Sequence, residues 1–231
     1  MASSQQEFDQ YADDYDLHLE QAISVSGESK EYFARGRVVW LSRLLDRWRT
    51  RVETVLDFGC GTGSATPHLL EILKVESLLG LDVSPRSINV ARRTYASERA
   101  SFLLFEDYEP DASLDLAVVN QVFHHIAPEE RARSLDFILR SLKPGGLLAF
   151  WEQNSWNPAT HYVMSRCEFD QDAVMLSPIE ARRRLRDAGF EILRTDFLFI
   201  FPRQLGWLRF LEPLVCKLPL GTQYMVLCRR P

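Results

Sequence analysis

The amino-acid sequence predicts an α/β fold in which a doubly wound sheet of seven strands carries helices on both faces. Two apolar runs are the main evidence. Val55 to Phe58 leads into a Gly-x-Gly-x-Gly turn that ends at Gly63, and Leu78 to Leu81 is closed by an acid, Asp82. In addition, apolar stretches alternate along the whole chain with segments of helical periodicity. Such alternation is typical of sheets built from strand-helix-strand units.

The apolar periodicity places the individual elements. Strands are predicted at 53–58, 78–82, 101–105, 115–120, 146–152, 190–201 and 222–229. Helices are predicted at 31–48, 64–73, 84–96, 128–142 and 177–188. Several of these helices open with serine or carry proline in the first turn, and both residues favour a helix start. Before them, Phe8, Tyr11 and Tyr15 form an aromatic stripe with helical spacing.

Length, charge and cysteine content bound the class of protein. A chain of 231 residues with 46% apolar residues can bury one sizeable core, so a single domain over 1–231 is predicted. The net charge of -5 disfavours a protein that wraps nucleic acid. The scattered cysteines predict neither a zinc site nor a disulfide framework. The N-terminus is unlike a secretory signal, and no apolar run reaches the roughly 18 residues of a membrane span, so we expect a cytoplasmic protein.

The glycine turn and the acid after it predict a nucleoside site. Glycines let the backbone approach a ligand closely, and Asp82 at a strand tip can accept hydrogen bonds from two ribose hydroxyls. The alternative for Asp82 is a cap on the next helix. A dinucleotide site would have its third glycine where this chain has Ser64. Asp57, just before the turn, would repel a pyrophosphate but suits a ligand with an ammonium group.

Five ordered motifs carry a resemblance to a known family. The acid-x-Gly-x-Gly-x-Gly motif at 57–63 is followed by LLGLDVSP at 78–85, FLLFED at 102–107, LDLAVVNQVFHHI at 114–126 and LKPGGLLAF at 142–150. In these motifs the chain resembles the class I S-adenosylmethionine-dependent methyltransferases, of the type 11/12-like domain. The resemblance implies a Rossmann-like sheet of order 3-2-1-4-5-7-6 with an antiparallel last strand. It also implies S-adenosylmethionine as the cofactor.

The resemblance also divides the chain by role. Residues 1–50 would form a helical cap and 51–152 the cofactor-binding core, whereas 153–176 and 202–221 would be insertions on the acceptor side. The implied reaction moves a methyl group to a small-molecule, lipid or glycan-precursor acceptor by in-line displacement without metal. Two alternatives stay open: a methyltransferase-like protein that binds the cofactor without catalysis and, more remotely, an NAD-dependent oxidoreductase. The sequence predicts no oligomeric state.

The family pattern also assigns cofactor contacts. The predicted cofactor-binding residues are Tyr15, Asp57, Gly59, Cys60, Gly61, Gly63, Asp82, Val83, Glu106, Asp107 and Asn120. Glu106 and Asp107 compete for the adenine amino group, and Asp107 is favoured. Asn120 has turn capping as its alternative, and Tyr15 has simple packing. Cys60 is interpreted as a small, inert filler of the loop.

A general base is needed only where the acceptor must lose a proton. The candidates are His124, His125, Glu152 and His161. The two adjacent histidines have a packed strand-to-helix turn as their alternative. For Glu152 the alternative is loop hydrogen bonding, and for His161 it is surface exposure. The acids and histidines near the strand tips do not form an oxygen-rich set, so no metal site is predicted.

The segment 202–221 interleaves apolar side chains with Arg203, Arg209 and Lys217. This pattern predicts an amphipathic helix, broken by Pro213, that meets a lipid-like acceptor or makes peripheral contact with a membrane. The alternative is that its side chains cover the edge of the sheet. The aromatic residues of both insertions are expected to provide a dry acceptor pocket.

Overall fold

The computed structural model describes residues 27–166 and 173–231. Seven strands in these ranges form one sheet: Thr54–Phe58 (β1), Ser77–Asp82 (β2), Ala100–Leu104 (β3), Leu114–Asn120 (β4), Leu142–Gln153 (β5), Glu191–Leu198 (β6) and Gln223–Arg229 (β7). Their order is β3-β2-β1-β4-β5-β7-β6, and β7 is antiparallel to both of its neighbours. The predicted doubly wound sheet and its strand order are therefore confirmed.

The α-helices in the described ranges are Lys30–Trp48 (α1), Thr66–Ile72 (α2), Pro85–Tyr95 (α3), Arg131–Ser141 (α4), Pro158–Met164 (α5), Pro178–Asp187 (α6) and Glu212–Val215 (α7). Shorter 3-10 turns lie at Phe105–Asp107 and Phe123–His125, and a longer one spans Arg203–Leu211. Ser84 and Ser177 each cap a helix by accepting a backbone hydrogen bond, with proline next in the chain. None of the helices described has the length and apolar character that a membrane span requires.

Helices cover both faces of the sheet. On one face, Leu41 of α1, Leu69 of α2 and Ile88 of α3 are buried against the strands. On the other face, Leu135 of α4 and Leu185 of α6 are buried in a second cluster. Because both faces of the sheet are covered in this way, its ends are where a ligand can approach the strands.

The strand order reverses between β1 and β4. The chain passes from β1 outwards to β2 and β3, and then returns to the other side of β1 to form β4 and β5. The connections that follow β1 and β4 therefore diverge, and a crevice opens at the carboxyl ends of these strands. The glycine turn follows β1, Asp82 closes β2 and Asn120 closes β4. Residues far apart in sequence thus meet at one edge.

The two segments outside the generic sheet pack on each other at the same edge. The side-chain amide of Asn154 donates hydrogen bonds to the carbonyls of Pro219 at 3.2 Å and Gly221 at 2.7 Å. Asn157 donates to the carbonyl of Leu220 at 2.7 Å. Asn154 is fully buried. These contacts join the segment after β5 to the segment before β7.

The prediction of an amphipathic α-helix within 202–221 that is broken by Pro213 is wrong. A 3-10 helix runs over Arg203–Leu211, and the short helix α7 follows it directly. Pro213 does not break a helix, because it lies in the first turn of α7, where a missing backbone N–H costs nothing. Residues 203–211 therefore have the tighter, three-residue repeat of a 3-10 helix, with a kink at Leu205.

Asp196 of β6 joins these outer parts to the body of the fold. Its carboxylate is fully buried and accepts a hydrogen bond from the indole of Trp40 at 2.9 Å. It also forms ion pairs with Arg194 at 2.7 Å and Lys217 at 2.8 Å. One side chain thus connects α1, β6 and the chain after α7.

Replacing Asp196 by alanine is expected to destabilise the fold by about 3–5 kcal/mol, because the partner cations and the indole N–H lose a buried carboxylate. Urea unfolding monitored by circular dichroism measures this change. The matched control is Asp136→Ala, which removes an exposed pair with Arg140 and should cost less than about 0.5 kcal/mol. Equal effects of the two substitutions would contradict the role given to Asp196.

Candidate functional site

A cavity of about 440 Å³ opens at the carboxyl edge, where β1, β2 and β4 end. From the strand ends and the turns after them it is lined by Asp57, Phe58, Gly59, Cys60, Gly61, Thr62, Ser64, Ala65, Asp82, Val83, Ser87, Phe105, Glu106, Asn120, Gln121, Val122, His125 and Ile126. Helix α1 and the region of α4 add Lys30, Ala34, Arg37, Glu130, Arg133, Ser134 and Phe137. The cavity therefore lies in the crevice that the reversed strand order creates.

The three glycines of the turn serve different purposes. Gly59 has a φ of +74°, and a Cβ there would lie 2.5 Å from Val122. Gly61 has a φ of +53° with open space around the missing Cβ, so a ligand can approach its backbone. Gly63 does not line the cavity, contrary to the prediction of a cofactor contact. A Cβ at Gly63 would meet Ala91 and Tyr95 at 3.1 Å, so its role is close packing against α3.

Asp82 holds the glycine turn in place. One carboxylate oxygen accepts a hydrogen bond from the backbone N–H of Gly61 at 2.8 Å, and the other accepts one from Ser84 at 2.9 Å. The side chain is almost fully buried, yet it lines the cavity. The cap of α3 is Ser84, whose hydroxyl accepts a hydrogen bond from the backbone N–H of Ser87, so Asp82 is not the helix cap. The position of Asp82 in the cavity wall leaves the ligand-binding interpretation open.

Asp57 is a buried acid with an unsatisfied oxygen. Among the described residues, its Oδ2 has no hydrogen-bond partner, although the side chain is only 2% exposed. The pKa of Asp57 is raised to about 7, mainly by burial and in addition by the nearby charge of Asp82, while Arg37 acts in the opposite direction. A buried acceptor without a partner costs free energy unless a ligand satisfies it. Asp57 therefore suits a cationic donor.

Two polar groups at the end of β4 are in the same situation. Within the described part of the chain, Oδ1 of Asn120 and Nε2 of Gln121 are buried without a hydrogen-bond partner, and both residues line the cavity. Gln121 has a left-handed backbone with a φ of +57°. Sequence reasoning missed Gln121, because nothing in the local pattern indicates that its backbone turns there. These groups add an acceptor and a donor to the cavity wall.

The order of preference between the adjacent acids after β3 is reversed by the structure. Glu106 lines the cavity, whereas Asp107, which the sequence favoured, does not. The strand ends at Leu104 and a 3-10 turn follows over Phe105–Asp107. Successive side chains in such a turn point about 120° apart. Phe105 and Glu106 therefore reach the cavity, and Asp107 is directed away from it.

The predicted catalytic residues separate into different places. His124 and Glu152 form a buried pair, with Nδ1 of His124 2.7 Å from one carboxylate oxygen, and the other oxygen accepts the backbone N–H of Phe123 at 2.7 Å. Neither lines the cavity, so the prediction of direct catalytic contact is not supported for them. His161 is exposed, lies 2.7 Å from the Ser155 carbonyl and is also absent from the lining.

His125 is the predicted base that the structure brings to the cavity. Its ring lies 4.1 Å from that of His124, measured between centroids, on the turn that follows β4. The buried guanidinium of Arg131 holds this turn by donating to the carbonyls of Phe123 and Ile126, each at 3.0 Å. Arg131 also donates to Val174 at 2.6 Å. Sequence reasoning missed Arg131, because it lies in a helix whose arginines are otherwise typical of a solvated face.

The expected contribution of the two insertions to the pocket is not seen. No described residue of 153–176 or 202–221 lines the cavity, and Trp156 stacks instead on Phe197 with centroids 6.2 Å apart. The first turns of α1 occupy that side. Arg37 of α1 lines the cavity and donates to Gln223 at 3.1 Å, which links the cavity wall to the start of β7.

Tyr15, predicted to contact the cofactor, lies outside the described residues, as does Tyr11. Over 27–166 and 173–231, no group of three or more histidine, cysteine, aspartate or glutamate side chains is placed to hold a metal ion. At Cys60, desolvation and the charges of Asp57 and Asp82 raise the pKa of the thiol well above its ordinary value, so it stays protonated.

Comparison with known proteins shows which family part of the chain is similar to. The family model described as a methyltransferase domain matches residues 56–148, which run from β1 through β5 and include the glycine turn, Asp82 and the turn after β4. The resemblance of this chain to the class I S-adenosylmethionine-dependent methyltransferases is thereby confirmed. The same comparisons confirm the prediction of S-adenosylmethionine as the cofactor.

The chain has relatives whose names give different acceptors. It is 30% identical over 138 residues to the ribosomal protein L11 methyltransferase of Photobacterium profundum, covering 56% of this chain and 42% of that protein. It is 32% identical over 140 residues to the trans-aconitate 2-methyltransferase of Methylobacterium nodulans, covering 59% and 52%. The chain spans about half the length of the curated relatives that it matches.

A solved structure shares the fold over nearly the whole chain. It comes from the Haloferax volcanii complex between the Trm112 methyltransferase activator and a methyltransferase, with a TM-score of 0.66, 22% identity and 97% coverage of both chains. The cavity of this chain fits S-adenosylmethionine on two observations. Asp57 keeps an unsatisfied buried acceptor for an ammonium group, and Gly61 leaves the space that a Cβ would fill.

The raised pKa of Asp57 predicts a pH-dependent stability. Because its pKa is about 7 in the folded protein against 3.8 ordinarily, the folded state binds this proton more tightly. The resulting stabilisation is fully present below pH 4 and is lost as the pH rises through 7. Asp57→Asn mimics the protonated acid, so it should raise the melting temperature at pH 8 by about 2 °C or more.

Differential scanning fluorimetry of both proteins without ligand, from pH 5 to pH 8, tests this expectation. The difference in melting temperature should grow with pH up to about 7 and then level off, since other titrating groups are common to both proteins. A difference that is constant over this range would show that Asp57 ionises normally.

Proposed function

We propose that this methyltransferase transfers the methyl group of S-adenosylmethionine to a small-molecule or lipid-like acceptor, without a metal ion. The single observation that supports it most is the buried, unsatisfied carboxylate oxygen of Asp57 beside the glycine turn. A cation with hydrogen-bond donors satisfies that oxygen, and the cofactor offers an ammonium group. The family match over 56–148 covers the same part of the chain.

Different residues of the chain bind different groups of the cofactor. Asp82, already holding Gly61 and Ser84, accepts the ribose hydroxyls with the remaining lone pairs of its carboxylate. Glu106 takes the adenine amino group, because it is the acid after β3 that lines the cavity. Asn120 and Gln121 supply an acceptor and a donor at the end of β4.

When bound, the cofactor supplies a methyl group on a sulfonium sulfur, which is already activated for displacement by a nucleophile. The protein's main task is then alignment, a contribution of roughly 7–11 kcal/mol in well-oriented systems. The apolar rings of Phe105 and Phe137 exclude water from the cavity, which they line. Exclusion of water favours a step in which an anionic nucleophile and a cation neutralise each other.

His125 is the proposed general base for an acceptor that must lose a proton. It is the histidine of the turn after β4 that lines the cavity. The buried pair of Glu152 and His124 holds the turn that carries His125, because Glu152 also accepts the backbone N–H of Phe123. Arg131 holds the same turn by donating to the carbonyl of Phe123. They are positioning residues rather than catalytic ones. A base in this position contributes about 10²- to 10⁴-fold in rate.

Several features favour a small acceptor over a polymer. The cavity of about 440 Å³ is of the size found for small-molecule sites. The net charge of -5 gives no overall attraction for nucleic acid. Asp57, Asp82 and Glu106 of the cavity wall are assigned to the cofactor, which leaves Lys30, Arg37 and Arg133 against one acid, Glu130. An acceptor that carries a carboxylate or phosphate is therefore favoured. Among the curated relatives, the trans-aconitate 2-methyltransferases carry such an acceptor in their name.

Asp82→Ala is expected to weaken the binding of S-adenosylmethionine by roughly 1–3 kcal/mol, because the ribose loses a charged acceptor and the glycine turn loses its anchor. Isothermal titration calorimetry measures this loss. NAD should give no heat with either protein, which separates this site from a dinucleotide site. Unchanged affinity for S-adenosylmethionine would refute the assignment of Asp82.

The adjacent acids after β3 give the matched control. Glu106→Ala should weaken cofactor binding in the same titration, whereas Asp107→Ala should leave it unchanged, since Asp107 does not line the cavity. Both residues are exposed acids of one turn, so their effects on folding are comparable. The opposite ranking would return the adenine contact to Asp107.

The two histidines of the turn are expected to respond differently to substitution. His124→Ala leaves Glu152 as a buried carboxylate without its imidazole and should destabilise the fold by about 3–5 kcal/mol. His125→Ala should cost much less stability and leave cofactor affinity intact. With a carboxylic-acid or phenol acceptor that gives turnover, it should lower kcat by about 10²-fold or more.

Urea unfolding and the release of S-adenosylhomocysteine measure these two quantities. A panel of carboxylic acids, phenols and prenyl phosphates serves to find the acceptor. His125→Ala with full kcat would exclude it as the base. Cofactor binding without turnover on any member of the panel would instead favour the non-catalytic alternative.

A further inference from the structure

Exposed apolar side chains are concentrated in one part of the molecule. Nine of the eleven large apolar side chains that are exposed in the described ranges belong to 153–176 or 202–221. The most exposed within 202–221 are Leu214 at 78%, Trp207 at 72% and Phe210 at 71%. Scattered single apolar residues are normal on a surface, but a contiguous group of this kind indicates an interaction site.

The structure separates the side chains that cover the sheet edge from those that face outwards. Cys216 is buried, and Leu211 and Val215 are half-buried, so these three account for the covering role. Trp207 and Phe210 are three residues apart in a 3-10 helix and therefore share a face. Leu214 lies in α7, four residues after Phe210 and beyond the junction of the two helices. Covering the edge of the sheet therefore does not explain the exposed side chains of Trp207, Phe210 and Leu214.

The backbone that carries this face is firmly held. Arg209 forms an ion pair with Glu28 at 2.6 Å and donates to the carbonyl of Phe201 at 3.1 Å. Glu212 accepts the backbone N–H of Ile200 at 2.8 Å. Lys217 is paired with Asp196. The apolar face is therefore presented by a fixed segment.

The charge of the segment indicates what it meets. Residues 202–221 contain three cations and one acid, whereas the whole chain has a net charge of -5. Arg209 is paired with Glu28, whereas Lys217 shares the single charge of Asp196 with Arg194 and stays exposed. The positive charge at this surface therefore comes from Lys217 and Arg203. Arg203 at the start of the 3-10 helix is exposed. A rigid face of tryptophan, phenylalanine and leucine beside cations is the composition of segments that enter the interface of an anionic bilayer.

We propose that the 202–221 segment docks this protein on the surface of anionic lipid bilayers, with Trp207, Phe210 and Leu214 inserted among the headgroups. The segment follows β6 and lies at the same edge of the sheet as the cavity. Arg203 donates to the carbonyl of Gly27 at 3.4 Å, just before α1, whose residues line the cavity. Docking therefore brings the cavity side of the sheet to the lipid. The inference rests on the proposed function only for the lipid-like nature of the acceptor.

Co-sedimentation with vesicles tests the proposal without an acceptor or a cofactor. The wild-type chain should bind vesicles of phosphatidylcholine and phosphatidylserine, and more weakly those of phosphatidylcholine alone. Trp207→Ser together with Phe210→Ser should lower the partition coefficient by about tenfold or more, because two large apolar side chains are lost. Arg203→Glu should reduce binding only to the anionic vesicles.

The matched control is Trp48→Ser together with Ile179→Ser, which removes one aromatic and one aliphatic side chain that are exposed elsewhere. This control should bind vesicles as the wild type does. The proposal is wrong if the wild type binds neither vesicle, or if both double variants bind equally. A wild-type dimer in light scattering that dissociates in the Trp207/Phe210 variant, without vesicle binding, would assign the face to a second copy and overturn the proposal.

Calorimetry with S-adenosylmethionine is run on each variant. Retained cofactor binding by the Trp207/Phe210 variant shows that the fold is intact and that lost vesicle binding comes from the surface. Vesicle binding by a wild-type chain that takes up no S-adenosylmethionine would support the docking surface while refuting the proposed function.

Discussion

The hydrogen bonds that Asp82 accepts from the backbone of Gly61 and Ser84 are the interaction on which the site depends. They join the turn after β1 to the start of α3, and so fix the glycine turn against the neighbouring strand. With that turn fixed, Gly61 keeps open space beside it and Asp57 stays buried next to a second acid. The geometry that excludes water from Asp57 is thus the same geometry that raises its pKa to about 7.

Buried carboxylates elsewhere in the described chain show how differently the fold treats such groups. Asp196 is neutralised by cations, and Glu152 by an imidazole and a backbone N–H. Asp57 alone among these keeps an oxygen without a hydrogen-bond partner. Since a buried unsatisfied acceptor costs stability, its retention beside a cavity is typical of a binding site rather than of a structural core.

The cavity and the outer segments are joined through helix α1. Its first turns form one wall of the cavity through Lys30 and Arg37, while Trp40 reaches the carboxylate of Asp196. The rings of Tyr32 and Phe33 pack on Phe199, at the end of β6. Helix α1 therefore contacts both the cavity and the residues that hold the 202–221 segment.

The sequence by itself determined the strands, the helices and the glycine turn, because apolar periodicity and a run of glycines are local properties. The order of the strands came instead from the resemblance of five motifs to a known family. The sequence also indicated Asp57 and Asp82, which end adjacent strands. Only the tertiary structure decided between Glu106 and Asp107, because a single 3-10 turn changes which side chain faces the cavity. It likewise placed His124 and Glu152 in the interior and His125 in the cavity wall. Gln121 and Arg131 could not be predicted, since their roles come from a left-handed backbone and from distant carbonyl groups that meet only when the chain is folded.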